Sequence, residues 1–144
     1  MSDCLFCKIA NKEIPSHCVA EDDYSYAFLD INPSSLGHTV VIPKKHYFSI
    51  SEMDEQDLGF LFAMVKRVGL LLGETFDSPN MNIGINQGSC AGQEVGHIHV
   101  HLIPRKANDE GGSIQSVVAS YNGEDLSETV ERIRASKNKN KNKE

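Results

Sequence analysis

The stretch HIHVHLIP, His97 to Pro104, holds three of the chain's six histidines at alternate positions, with an aliphatic residue between each pair. Along a strand successive side chains point to opposite faces. His97, His99 and His101 therefore share one face, and Ile98, Val100 and Leu102 the other. The alternation predicts a strand over 97–104 that buries its aliphatic face and presents three imidazoles on its other. Three readings fit that pattern. The histidines are chance polar positions, ligands of a catalytic metal, or a nucleophile with its helpers. Their register beside the glycine-rich GSCAGQEVG (88–96) weighs against chance. Residues two apart on a strand lie roughly 6.5–7 Å apart at Cα, so neighbouring imidazoles reach a shared ion more easily than all three do. For a nucleophile the chemistry is direct. An imidazole is largely neutral near pH 7, and a carbonyl that holds the Nδ1 proton leaves the Nε2 lone pair to attack.

The surrounding segments set the fold class. CLFCKIANK (4–12) reads as a short helix, and VAEDDYSYAFLD (19–30) as two strands around Asp22 and Asp23. NPSSLG (32–37) is turn chemistry, and HTVVIP (38–43) is a β-branched strand ended by Pro43. From Ser51, read as an N-cap, the period becomes helical. Leu58, Leu61, Phe62, Val65, Val68, Leu72 and Phe76 form one stripe, and Phe60, Met64 and Leu71 a second. The second stripe fits either a deeply buried helix or a homodimer interface. NMNIGINQG (80–88) is a further strand, and EDLSETVERIRASK (124–137) a last helix with Asp125 and Glu128 as a capping pair. This order predicts an α+β fold, a mostly antiparallel sheet with one long helix and a short C-terminal helix. It also predicts one domain over 1–136, its motifs within 4–106, and a disordered Lys/Asn tail over 137–144.

Bulk properties narrow the function. The net charge of −6 over 144 residues argues against gripping a nucleic-acid polymer, which needs a basic face. A single phosphate needs only a few donors. No apolar run is long enough to span a bilayer, and the first residues lack the pattern of a signal peptide, so the expected compartment is the cytoplasm. There the C-x2-C pair Cys4 and Cys7 reads as metal-binding or catalytic, or as free thiols, rather than as a disulfide.

HIHVHLI matches the histidine-triad signature, His-φ-His-φ-His-φ-φ with φ hydrophobic. Together with FCKI, EIP, AFLDINP, GHTVVIPKKH, NQG and AGQEVGHIHVHLIPR, the chain resembles the histidine triad nucleotide-binding branch of that superfamily. The resemblance implies a HIT-like fold that dimerises through its long helix and sheet. It implies a hydrolase that cleaves nucleoside 5′-phosphoramidates or related conjugates at the α-phosphorus, through a nucleotidyl-histidine, releasing a purine nucleoside monophosphate. Alternatives are a non-catalytic purine-nucleotide sensor and a dinucleoside polyphosphate hydrolase. Carried over, His99 is the nucleophile, oriented by the carbonyl of His97. His101 contacts the phosphate, His38 lies near the nucleophile, Asn86 is the phosphate-side asparagine, and Gln93 sits in the loop beside the phosphate. Asp30 binds the ribose, and Leu5, Phe6, Ile9, Phe28 and Ile31 wall the base. Glu94 stands where many members carry Ser or Thr, and Gly96 where many carry a bulkier residue. Some members also bind a structural zinc through residues matching Cys4, Cys7, His46 and His97, outside the chemistry.

Overall fold

The structure, a computed structural model, describes residues 3–141, with side chains through 137. It divides into two compact units, one up to Gly111 and one from Gly112 onward. The first holds the sheet. Strands β1 (Cys18–Glu21), β2 (Ser25–Leu29), β3 (Thr39–Pro43), β4 (Met81–Gly84) and β5 (Val100–Pro104) pair antiparallel in the order β1-β2-β3-β5-β4. Helix α1 spans Leu5–Ala10 and α2 spans Glu55–Thr75. The expected α+β class and antiparallel sheet are what form.

Alternation along the strands builds two cores. Ala27, Val41, Val100 and Leu102 point to one face and pack with Leu61, Met64, Val65, Val68 and Leu72 of α2. Tyr26, Phe28, Val40 and Ile42 point to the other, with Phe6, Ile9 and Ala10 of α1. Because β3 is covered on both sides, its run TVVIP is buried throughout. The β1–β2 hairpin closes as expected at Asp22, whose carboxylate accepts the N–H groups of Tyr24 and Ser25 at 2.8 Å each.

The long helix departs from expectation in two respects. Its cap is Asp54, not Ser51. The Asp54 carboxylate accepts the Asp57 N–H at 2.8 Å, while Ser51 sits in a separate 3₁₀ turn over Ile50–Glu52. The stripes also divide differently. Met64 belongs to the core, Phe60 stacks on Tyr24 at 3.8 Å between centroids, and Phe62, Leu70 and Leu71 are exposed. A single sheet face accepts residues at i, i+3, i+4 and i+7, and 61, 64, 65, 68 and 72 are the set in phase.

Gly37 shows how tightly the α2 end meets the loop before β3. Its φ is +86°, and a Cβ there would stand 2.2 Å from the Phe76 ring. Gly37→Ala is expected to destabilise the fold by about 1–3 kcal/mol, because it combines a left-handed backbone with a clash. Denaturant unfolding would measure this, and an unchanged midpoint would refute it.

The chain divides into its two compact units near Gly111, and none of the second unit's described side chains is buried. Ile114, Val117, Val118, Tyr121 and Leu126 are all exposed, so these residues build no core within the unit. Its helix α3 runs Leu126–Lys141, into the Lys/Asn stretch expected as a disordered tail. Lysine is a good helix former and is favoured near a helix C-terminus. Residues 142–144 of that tail lie outside the described residues.

Candidate active site and metal centre

The triad is not one straight strand. Pairing of β3 with β5 runs from Thr39↔Leu102 to Val41↔Val100 and stops there. His97, Ile98 and His99 precede β5, and loop carbonyls hold them. The Ile98 N–H donates to Tyr47 O at 2.7 Å, and the His97 Nε2–H donates to Pro43 O at 2.8 Å. The histidine face is largely covered. His97 is fully buried, His99 is 7% exposed and His101 is half-buried. Ile98, Val100 and Leu102 are buried as expected.

Hydrogen bonds then separate the three imidazoles. The His99 Nδ1–H donates to the His97 carbonyl at 2.8 Å, leaving the Nε2 lone pair free. Phe6 lies edge-on to the His99 ring at 5.0 Å, and His101 lies 4.9 Å away at 70°. On the other side, the Ser34 N–H donates to His38 Nδ1 at 3.0 Å. That bond puts the proton of neutral His38 on Nε2, where it donates to His101 Nδ1 at 2.9 Å. His101 in turn carries its proton on Nε2. A backbone N–H two rings away thus sets which nitrogen of His101 is a donor.

Charge state fits these tautomers. Burial, reinforced by His99 and His38, pushes His101 down to about 4. Burial also lowers His38, partly offset by Asp30, whose Oδ2 lies 3.6 Å from its Nε2. With a lowered folded pKa, the unfolded chain binds more protons between about 6.5 and about 4, so stability falls as pH drops through that window. His101→Asn should flatten the loss, which reaches up to about 1.4 kcal/mol per pH unit for one group. An identical slope in wild type and variant would refute it. Denaturant titrations from pH 7 to pH 4 would supply both slopes.

Two groups of potential metal ligands occur among the described residues, and chemistry separates them. In the first, His97 Nδ1 lies 3.4 Å from Cys4 Sγ and 3.5 Å from Cys7 Sγ, and His46 Nδ1 lies 3.4 Å from Cys7 Sγ. Zinc bonds of about 2.1 Å to nitrogen and 2.3 Å to sulfur give a tetrahedron with edges of about 3.6 Å, close to these separations. The Pro43 carbonyl fixes the His97 proton on Nε2 and so leaves Nδ1 as a ligand atom, the usual second hydrogen bond of a metal-binding histidine. Burial and the adjacent Cys4 push the Cys7 thiol up to about 11. A cation held between the sulfurs reverses that preference, because a coordinating thiol is deprotonated. These four residues fit zinc.

The second group, Asp30, His38 and His101, does not fit. The lone pair of His38 Nδ1 is committed to the Ser34 N–H, so its other nitrogen bears the proton that a metal would need removed. The three-histidine metal reading fails on direction. Nδ1 of His97 faces the cysteines, Nδ1 of His99 faces a carbonyl, and Nδ1 of His101 faces His38.

The other expected residues fall in different places. Asp30 borders His38, and its Oδ1 accepts the Asn32 N–H at 2.8 Å. Asn86 is exposed, and its amide makes no hydrogen bond to another described side chain. It lies two residues past the Gly84↔His101 pair, on the line leading toward His99. Gly92, at φ +92°, brings its backbone beside it, and a Cβ there would stand 3.9 Å from Asn86 Cγ. Gln93 is already engaged. Its Oε1 accepts the Gly88 N–H at 2.8 Å, and its Nε2 donates to Phe48 O and Val95 O at 3.0 and 3.1 Å. These bonds brace the loop.

Of the expected base-wall residues, Phe6, Ile9 and Phe28 are core, whereas Leu5 and Ile31 are exposed. Glu94 is exposed, and the Phe48 ring lies 3.6 Å from where a Gly96 Cβ would stand. The groups that sequence reasoning missed are mostly backbone: Pro43 O, Tyr47 O and Ser34 N–H. Only Pro43, as a strand end without an N–H, left a signal.

The HIT domain model matches residues 11–108. The chain belongs to the HIT domain family. This HIT domain is similar to an adenosine 5′-monophosphoramidase of Schizosaccharomyces pombe, 41% identical over 109 residues, 76% of this chain and 78% of that one. The crystal structure of a HIT family member from Bacillus subtilis superposes with a TM-score of 0.82 at 34% identity, covering 95% of this chain and 96% of that one. A histidine triad nucleotide-binding protein from Candida albicans superposes at 0.80 with 30% identity, covering 95% and 99%. No helix of this HIT domain, among the described residues, is long and apolar enough to cross a membrane.

Proposed function

We propose that this HIT domain is a nucleotidyl hydrolase that cleaves purine nucleoside 5′-phosphoramidates, with His99 as nucleophile. The observation that carries the reading is the His99 Nδ1–H bond to the His97 carbonyl, which directs Nε2 away from that backbone group. Nε2 attacks the α-phosphorus, the P–N bond breaks, and the amine departs with a proton. Water then attacks the nucleotidyl-imidazole, the P–N bond to His99 breaks, and the nucleoside monophosphate leaves. The His101 Nε2–H donates to a phosphate oxygen as charge builds there. Its donor state follows from the Ser34–His38–His101 chain. The Asn86 amide and the backbone at Gly92 supply further donors, and Asp30 accepts from the ribose. Leu5, Phe6 and Ile31 border the base.

Zinc at Cys4, Cys7, His46 and His97 supplies a structural crosslink and takes no part in either displacement. It ties α1 to the chain after β3 and to the residue whose carbonyl orients the nucleophile. The exposed Phe62, Leu70 and Leu71 of α2 and Ile83 of the edge strand β4 support a homodimer. The test is release of AMP from adenosine 5′-phosphoramidate by the purified chain. Release is expected. AMP binding without turnover of any phosphoramidate would identify a nucleotide sensor instead.

A further inference from the structure

The two cysteines of the metal cluster bracket Leu5 and Phe6, and Phe6 is the residue whose ring abuts His99 at 5.0 Å. Cys4 caps α1, and its Sγ accepts the Cys7 N–H at 3.5 Å. Both sulfurs point at one atom, His97 Nδ1, and the four ligand atoms all lie within 4.8 Å of one another. The two sulfurs lie within 4.8 Å of each other, and Cys4 stands in extended backbone just before α1, so closing a disulfide, whose Cβ atoms lie about 3.8 Å apart, draws the first turn of α1 inward. Both cysteines are half-buried, within reach of a small oxidant.

We infer that Cys4 and Cys7 are a peroxide-sensitive dithiol, whose oxidation to a disulfide expels the metal and releases α1 from the triad. The inference rests on the zinc reading above. One thiolate attacks a peroxide oxygen, the O–O bond breaks, and a sulfenic acid and hydroxide form. The second thiolate attacks that sulfur, the S–S bond forms, the S–O bond breaks and a second hydroxide leaves. Two protons from solvent complete the balance. Two thiolates, one peroxide and two protons give one disulfide and two waters, with two electrons passing from sulfur to oxygen. The metal then keeps only His46 and His97, two neutral donors, too few to hold it against solvent. The His97 imidazole stays bonded to Pro43 O, so the change falls on α1 and Phe6 rather than on the anchor of His99.

The test uses the full-length, zinc-loaded chain. It is titrated with hydrogen peroxide while a chromophoric chelator reports free zinc, and peptide mass mapping locates disulfides. One zinc released per Cys4–Cys7 disulfide is expected, with a melting temperature lower by about 5–10 °C. Dithiothreitol plus zinc should reverse both changes. A Cys18→Ser/Cys90→Ser double variant, which removes the two exposed cysteines outside the cluster, should behave identically. Retention of zinc while peroxide is consumed would overturn the inference alone, as would zinc release with Cys4 paired to Cys18 or Cys90. A chain that binds no zinc would overturn the metal reading and this inference together.

Discussion

His99→Ala is expected to lower AMP release from adenosine 5′-phosphoramidate by on the order of 10⁴-fold or more, as removal of a nucleophile does elsewhere. The structure makes this a sharp expectation because no other imidazole is placed to substitute. His97 is buried, with both ring nitrogens committed, to the cysteines and to Pro43 O. The Nδ1 of His101 accepts from His38, and its Nε2 bears a proton. The substitution leaves a small cavity beside Phe6 but breaks no buried ion pair, so the variant should fold and keep measurable affinity for AMP. Steady-state turnover and calorimetric AMP binding separate the two effects. Wild-type turnover in this variant would remove His99 from the chemistry.

Removing the zinc ligands is the second large effect. Cys4→Ser/Cys7→Ser is expected to cost about 3 kcal/mol or more, read as a fall in melting temperature of about 10 °C. Structural zinc can contribute of order 10 kcal/mol of apparent binding energy, but the core between the sheet and α2 contains no residue of α1 and does not depend on it. The loss should therefore loosen α1 rather than unfold the sheet. A chelator should lower the melting temperature of the wild type by a similar amount. Below that temperature, hydrolysis should not require a metal as reagent, and restored activity on adding metal to a folded, metal-free chain would contradict this.

Much of the fold was legible in the sequence because it rests on period. The burial of β3 on both faces follows from four apolar residues in a row after Thr39, and the Asp22 hairpin from local side-chain chemistry. The phase of α2 was harder. Phe62 and Met64 are equally apolar, and only the sheet decides that the methionine is covered and the phenylalanine is not. Ser51 and Asp54 both qualify locally as the cap, and the 3₁₀ turn that takes up Ser51 begins at Ile50, whose N–H donates to the distant Gln87 Oε1.

The candidate site shows the same limit at closer range. Alternation put three histidines on one face, and the resemblance divided their roles. It could not supply the Ser34 N–H that sets the tautomer of His38, or the carbonyls of Pro43 and Tyr47 that halt the ladder before His99. Backbone groups of distant loops carry no residue signature. For the same reason the sequence could not show that the Gln93 amide is engaged with three backbone groups.

The central claim is that His99 Nε2 becomes bonded to phosphorus during turnover. Rapid quench of the reaction with adenosine 5′-phosphoramidate, followed by intact-mass and peptide mass spectrometry, tests it directly. An adenylyl group on the peptide containing His99, absent in His99→Ala and lost as AMP accumulates, is the predicted result. An adenylyl group on any other residue would contradict the claim, as would a pre-steady-state course with no adduct when hydrolysis of the adduct is the slower step.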